Sequence, residues 1–583
     1  MLKGLEKARL PNRWMHWATL LIVVLGSTNL CMYLARNHAA EKNLNRFIPY
    51  CRDDYKSIAP VVSDKFIDKI AKILNDADFK EDVAKKLSGA VKVPTVIGDV
   101  FPEPSSDIEY YSEFLKFHDY LESTFPLIHK HLRREKVNEI GLLYTWEGSD
   151  ENLKPVLFMA HQDEVLVNPE TTDEWKYPPF SGYYDGENVW GRGSSDCKTT
   201  LIGELVAIEE LLRDGFQPQR TIILLFGFDE ESGGELGTLR LSQFLQDRYG
   251  PDSIFSIMDE GMGVMEIEPG LYAAAPITQE RGFGNIELSI SGPGGHSSVP
   301  PKHTNVGVLS EIVYKLENTP FKYVVEDTHP FLSYYQCVAD FSTTVDPGFR
   351  HIIKRAATSN KYRKEFVKAL EVFNPTAALT FKTTEAIDMF HSGVKVNALP
   401  ETGSVQINYR VGIHSNIEEV LERTTNIVNK VAQAHGYNLT VGEDNNNVIY
   451  SDPSNTGSLT MKLYTTKNPS PRSPSYQDND KVWDLFAGTI KDYFENRVFL
   501  KEKESGKPPK LFITTSTMTP NTDTRHMWNL TSHIYRFQGA IFPPDLLKGV
   551  HSVNEHSSVS SVVQIAGFVY EYVLNADQAN LGY

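Results

Sequence analysis

The sequence predicts an α/β protein: a mostly parallel sheet flanked by helices, with a smaller α+β domain inserted into it and one apolar N-terminal helix. Three observations lead there. Short unbroken apolar runs, 155–160 (PVLFMA), 221–228 (TIILLFGF) and 253–258 (SIFSIM), alternate with helical patterns. That is how strands buried on both faces of a parallel sheet read. From Gly282 onward the texture changes. Ile286, Leu288 and Ile290, and later Val405, Ile407, Tyr409 and Val411, alternate with polar residues, so these strands have one wet face. Finally, Trp17–Ala35 carries no charge and is about as long as a bilayer crossing.

Taken in order, residues 1–16 hold Lys3, Lys7, Arg9 and Arg13 against Glu6, with Trp14, Trp17 and Tyr33 flanking the apolar run. The expectation is a cytoplasmic tail (1–16), an uncleaved single-pass anchor (17–35) contacting the membrane, and a polar stalk (36–60) leading to a lumenal body, N-in and C-out. Its alternatives are a cleaved signal peptide centred on Leu20–Leu25 and a buried helix. The sequons at Asn438 and Asn529 fit a lumenal body as glycosylation sites. Residues 61–150 read as mostly helical, with Ile67, Ile70, Ile73 and Leu74 at helical spacing. Asp196 opens a helix over 197–214 with Leu201, Leu205, Ile208 and Leu211 on one face and Gly215 closing it. Ser415 is the expected cap of a helix that ends at Gly436. The larger domain is therefore expected over 61–282 and again over 444–583, and the inserted domain over 283–443, with its own insertion near 320–380. The Ser-, Pro- and Asn-rich stretch 451–477 reads as a connecting loop.

Length and composition set limits. A chain of 583 residues exceeds one core. A net charge of −17 argues against a phosphate backbone as partner, so no nucleic acid is expected. Cys31 lies in the apolar run. Cys51, Cys197 and Cys337 are too few for a disulfide framework and contain no CxxC pair. One bridge, such as Cys51–Cys337, is compatible with them, and the sequence does not select it.

The chemistry concentrates where the apolar runs end: HQD at 161–163, GRGSSDCK at 191–198, FDEESGG at 228–234 and MDEG at 258–261. Ligands of open α/β sheets gather at the carboxyl ends of the strands, so His161, Asp196, Glu230, Glu231 and Asp259 should meet on one rim. Alone, Asp196 is an N-cap and His161 a structural histidine. Together they crowd negative charge into one cleft, which is repulsive unless cations fill it. Imidazole with carboxylate and no thiolate suits hydrolytic zinc, with manganese or cobalt as alternatives.

These motifs resemble, in order, those of the M20 family of dinuclear zinc peptidases and acylases. The likeness continues through GGHSS (294–298), GVKVNALP (393–400), INYR (407–410), NTDTR (521–525) and GVHSVNE (549–555). It implies a zinc-peptidase catalytic domain with a ferredoxin-like lid and two Zn2+ per chain. One zinc would take His161 and Asp259, the other Glu231 and His551, and Asp196 would bridge them. It further implies that Asp163 orients His161, that Glu230 is the general base acting on a zinc-bridged hydroxide, and that His296 stabilises the oxyanion, in many relatives from a partner subunit. A homodimer through the lid is the arrangement this suggests. Asn397, Arg410 and Arg525 would grip the substrate carboxylate. The resemblance is nearest to vacuolar fungal carboxypeptidases, which implies a vacuolar metallo-carboxypeptidase acting on short peptides with a free C-terminus and Gly in the penultimate position. The alternatives are an N-acyl-amino-acid hydrolase/synthase on the same metals and a non-catalytic tethered receptor.

Overall fold

A computed structural model describes residues 51–52, 54–442, 447–543 and 546–579. The expected tail, anchor and first part of the stalk lie outside them. No helix among the described residues is long and apolar enough to cross a membrane.

The larger domain is built on a 10-stranded sheet. Its centre is parallel, in the order Ile222–Gly227, Val156–His161, Ser256–Glu268, Ile534–Ile541. Its flanks are not. Gly141–Trp146 runs antiparallel to Ile222–Gly227 and forms a hairpin with Arg133–Val137, and Leu271–Ala274 turns back antiparallel on Ser256–Glu268. The sheet is therefore mixed, and the parallel expectation applies to its four central strands.

The unbroken apolar runs divide between two faces, as strand alternation requires. Phe158, Leu224 and Phe226 pack under helices Lys198–Arg213 and Val559–Gln578. Leu157, Met159, Ile223 and Leu225 pack against Leu241 and Leu245 of helix Thr238–Tyr249. Burying both faces anchors the strand ends that carry the polar motifs.

The inserted domain has six strands, ordered Thr384–Ser392, Thr402–Val411, Gly282–Ser291, Gly457–Lys467, Tyr437–Val441, Asn447–Tyr450. Ile286, Leu288, Ile290, Val405 and Ile407 face helices Asn305–Glu317 and Ile417–His435, and the opposite face is partly open. Gly457–Lys467 pairs with Phe283 through Ser291 of strand Gly282–Ser291, so the stretch read as a connecting loop contains a central strand. The cap of helix Ile417–His435 is Asn416, which accepts from the Glu419 N–H, rather than Ser415.

Between Asn305–Glu317 and Thr384–Ser392 lies a helical insertion: Pro330–Phe341, Pro347–Ala356, Asn360–Phe373 and Pro375–Ala378. Three of these helices start on proline, whose missing N–H is harmless in the first turn. His329, Asp346 and Asn374 cap them with side-chain acceptors. The insertion has its own core, with Leu332, Ile352, Ile353, Phe366 and Phe381. Cys337 on its first helix is disulfide-bonded to Cys51, 286 residues away in sequence. Closing so long a loop restricts the unfolded chain, an effect of about 2–4 kcal/mol for a typical bridge. Thermal unfolding of the Cys337→Ser protein should therefore begin at a lower temperature than that of the parent. An unchanged midpoint would mean that the tether adds no stability.

Candidate metal centre and catalytic site

Four segments from the sheet and one from the C-terminal region meet above the central strands. His161 ends Val156–His161. Asp196 precedes helix Lys198–Arg213. Glu230 and Glu231 form a single 3-10 turn after Ile222–Gly227, and Glu260 lies within Ser256–Glu268. His551 comes from the loop after Leu546–Gly549. The Glu230 turn is followed by Gly233 and Gly234, both at positive φ. Gly234, at φ 71°, adopts a backbone conformation that L side chains rarely take, and a Cβ there would press on the Asp523 carboxylate.

Asp196 is the hinge of the cluster. Its Oδ1 lies 3.1 Å from His161 Nε2 and its Oδ2 3.0 Å from His551 Nε2. His551 Nε2 is also 3.0 Å from Glu231 Oε1. Glu260 Oε2 lies 3.7 Å from His161 Nε2. Three overlapping donor groups result, His161–Asp196–Cys197–Glu260, His161–Glu230–Glu231 and Asp196–Glu231–His551, each with its ligand atoms within 4.8 Å of one another and with Asp196 in the first and third. Two cations sharing one carboxylate fit this arrangement.

Asp259, expected as a ligand, is not part of the cluster. Consecutive residues of an extended strand face opposite sides. Glu260 faces the cavity, while Asp259 is buried near Arg536 and Glu280, with Oδ2 unpartnered. The MDEG motif thus supplies its glutamate. Buried Cys197 also reaches the first group, and its sulfur accepts from the His161 N–H at 3.3 Å.

Asp163 does more than was expected of it. His161 Nδ1 donates chiefly to the Asp163 backbone carbonyl at 3.0 Å, and the carboxylate lies 3.4 Å away. That carboxylate accepts from the N–H groups of Glu230 (3.2 Å) and Glu231 (3.0 Å). One buried side chain therefore fixes the imidazole and the two glutamates together.

Burial, then the Asp196 charge, pushes Glu231 up to about 8, and the same causes raise Glu260. Hydrogen bonds to Asp196 and Glu231 push His551 up to about 10. Divalent ions on these oxygens would relieve the repulsion that raises Glu231 and Glu260. The donor set fits a hydrolytic metal pair.

The cluster opens into a cavity of about 1380 Å³ bordered by Asp196, Glu230, Glu231, His551, Arg410 and Arg525. Arg525 donates to Glu230 Oε1 at 2.7 Å, while Arg410 bonds Asn521 at 3.3 Å from the lid side. Burial raises Glu230, and the Arg525 charge opposes that rise. Polar neighbours missed by sequence reasoning are Asn285, Asn408 and Asn521. His296 and Asn397 are not brought here. His296 belongs to the exposed ribbon Gly295–His296/Ala398–Leu399, which Asn397 immediately precedes, and neither borders the cavity. Among the sequons, Asn529 is exposed, whereas the Asn438 amide donates to Asn455 at 2.8 Å.

The model of "Peptidase family M20/M25/M40" matches residues 157–575. The chain belongs to this family. M20 membership makes it a metal-dependent hydrolase. Carboxypeptidase S of Saccharomyces cerevisiae is 42% identical over 582 residues, 98% of this chain and 99% of the relative. Human N-fatty-acyl-amino acid synthase/hydrolase PM20D1 is 30% identical over 506 residues, 85% of this chain and 89% of the relative. Among solved structures, an M20 metallo-carboxypeptidase of Sulfolobus solfataricus (TM-score 0.53, 16% identity) covers 85% of this chain and 99% of its own. Human carnosine dipeptidase 1 (TM-score 0.55, 13% identity) covers 89% and 100%. These two share the fold.

Glu555 is a further M20 motif residue whose part only the geometry reveals. It is 1% exposed. It pairs with Arg192 at 2.6 Å and accepts from the Ser195 (3.0 Å) and Asp196 (3.3 Å) N–H groups, so it holds the loop that presents the bridging carboxylate. Removing such support lowers metal affinity about 10–100-fold. Glu555→Ala should lose metal to a chelator at correspondingly lower concentration while its far-UV spectrum stays unchanged; parental affinity would show the clamp to be dispensable.

Proposed function

We propose that this hydrolase is a zinc carboxypeptidase that removes the C-terminal residue of short peptides, with Gly in the penultimate position, in the vacuolar lumen. One observation carries the reading: a dinuclear donor set bridged by Asp196, the Glu230 carboxylate paired with Arg525, and Arg410 on the lid side border one cavity. When bound, the two ions supply Lewis acidity that lowers the pKa of water and polarises the amide carbonyl. The chain does the rest. Glu230, held by Asp163 through its backbone, takes the proton of the attacking water and delivers it to the leaving amine. Arg410 offers guanidinium donors from the lid side to the substrate carboxylate, the group a carboxypeptidase must recognise. Arg525, paired with Glu230, couples that recognition to the base.

The resemblance of the motifs supports the vacuolar assignment and the penultimate Gly. The Cys51–Cys337 bridge suits an oxidising, lumenal compartment, with the apolar run at 17–35 as anchor and Asn529 as the more accessible glycosylation site. A second reading, hydrolysis of N-acyl amino acids, is favoured by the apolar side of the cavity, where Met262, Met265 and Ile267 face Phe331, Tyr334 and Val338. Exposed His296, outside its own cavity, supports a lid-mediated homodimer in which each copy completes the other's site.

The zinc-loaded protein should release leucine from Cbz-Gly-Leu, lose that activity to EDTA and regain it with zinc. Glu230→Gln should reduce turnover by at least 100-fold, within the range for loss of a general base. Turnover that survives both treatments would defeat the mechanism, and faster turnover of an N-oleoyl amino acid than of the dipeptide would select the second reading. If His296 acts across a dimer, mixing inactive His296→Ala and Glu230→Gln proteins should restore activity. No recovery in a mixture shown to exchange subunits would count against that arrangement.

A further inference from the structure

The helical insertion has a surface that hydrolysis does not explain. Over residues 347–382, eight Lys and Arg stand against two Glu, a net +6 in a chain of net −17. The charge is ordered along helix Asn360–Phe373. Lys361, Lys364 and Lys368 are exposed, and their spacing, continued by Val372, sets them on one face. Phe366, Val367 and Leu370 are buried in the insertion. Lys361 makes a 3.8 Å contact with Glu365 and lies 5.7 Å from the centre of the Tyr362 ring. Where the stripe ends, Val372 is 77% exposed and Phe373 62%. The next turn holds Leu379, 38% exposed. With the helix's apolar face packed into the insertion, what it offers outward is a lysine row that ends in exposed Val372 and Phe373, cationic contacts beside a small apolar tip. Phe373 packs on Phe349, with ring centres 5.2 Å apart, and leaves the rest of its ring in solvent beside Val372.

Two further features place this face. Asn374 and Thr376, next in sequence and exposed, border the catalytic cavity. Cys337 on the same insertion is bonded to Cys51. Only the 15 residues 36–50 separate Cys51 from the apolar run ending at Ala35, a reach of about 50 Å at full extension.

We propose that this face of the insertion docks on an anionic lipid surface, with Lys361, Lys364 and Lys368 at the headgroups and Val372 and Phe373 at the acyl boundary. Charge complementarity selects the occupant, because lysines are attracted to an anionic lipid surface, here one on the lumenal side, within a Debye length of it. Docking turns the Asn374 edge of the cavity toward the bilayer.

The test uses the full chain with Cys31→Ser and Val372→Cys, labelled at position 372 with NBD and reconstituted in vesicles of phosphatidylcholine, with or without phosphatidylserine. Flotation reports the anchor, and NBD emission reports docking separately. With phosphatidylserine, emission should shift to the blue and be quenched by brominated lipid. Lys361→Glu, Lys364→Glu and Lys368→Glu combined should abolish both responses while flotation and Cbz-Gly-Leu hydrolysis are unchanged. Emission that ignores the lipid, or that responds equally in the charge-reversed protein, overturns the proposal. So does a charge-reversed protein with no NBD difference but a salt-dependent fall in kcat/KM for the soluble dipeptide, because the stripe would then steer substrate carboxylates.

Discussion

The structure depends on holding carboxylates together where they repel. Asp163, Asp196, Glu230, Glu231 and Glu260 share one partly buried rim with two imidazoles. Burial and mutual repulsion raise the pKa values of Glu231 and Glu260, so the rim is unfavourable as a set of free anions and favourable as a cation cage. Everything around it keeps the groups from turning away. Asp163 bonds backbone N–H groups, Glu555 pins the Asp196 loop, and the parallel strands beneath are buried on both faces. The rigidity of the sheet is what makes the repulsion usable.

A second buried ion pair extends the same logic to substrate recognition. Arg536 donates to Glu280 at 2.8 Å and to Thr524 at 2.9 Å, and Glu280 accepts from the Thr522 N–H at 2.8 Å. Both charged groups are almost fully buried. Breaking such a pair leaves an unpaired charge inside the protein, which typically costs about 3–5 kcal/mol. The turn that presents Arg525 is therefore fixed by the interior, and Arg525 reaches Glu230 from a set position.

Much of this was legible in the sequence because it was local. His161, Asp196, Glu230 and Glu231 follow apolar runs or open a helix, and chain direction alone puts them on one rim. What was not legible depended on facing and on distant pairing. MDEG offers two adjacent acids, and only the register of the strand decides that Glu260 faces the cavity. Strand Ile534–Ile541 was missed because Arg536 and Gln538 interrupt its apolar pattern, and their buried partners lie in remote segments. Strand Gly457–Lys467 is polar on its open face and follows a stretch rich in Ser and Asn, so composition spoke for a loop. The Cys51–Cys337 bridge joins positions too far apart for any local pattern to show.

The Glu555 clamp also has a bearing on biosynthesis. His551 and Glu555 are made more than 350 residues after Asp196, with the whole lid between them. A nascent chain that ends before residue 551 lacks one histidine donor and the support for the shared aspartate, so its metal cage is incomplete. Maturation of the centre is thereby tied to synthesis of the segment through Glu555, and fragments that stop short of it emerge inert toward the peptides around them.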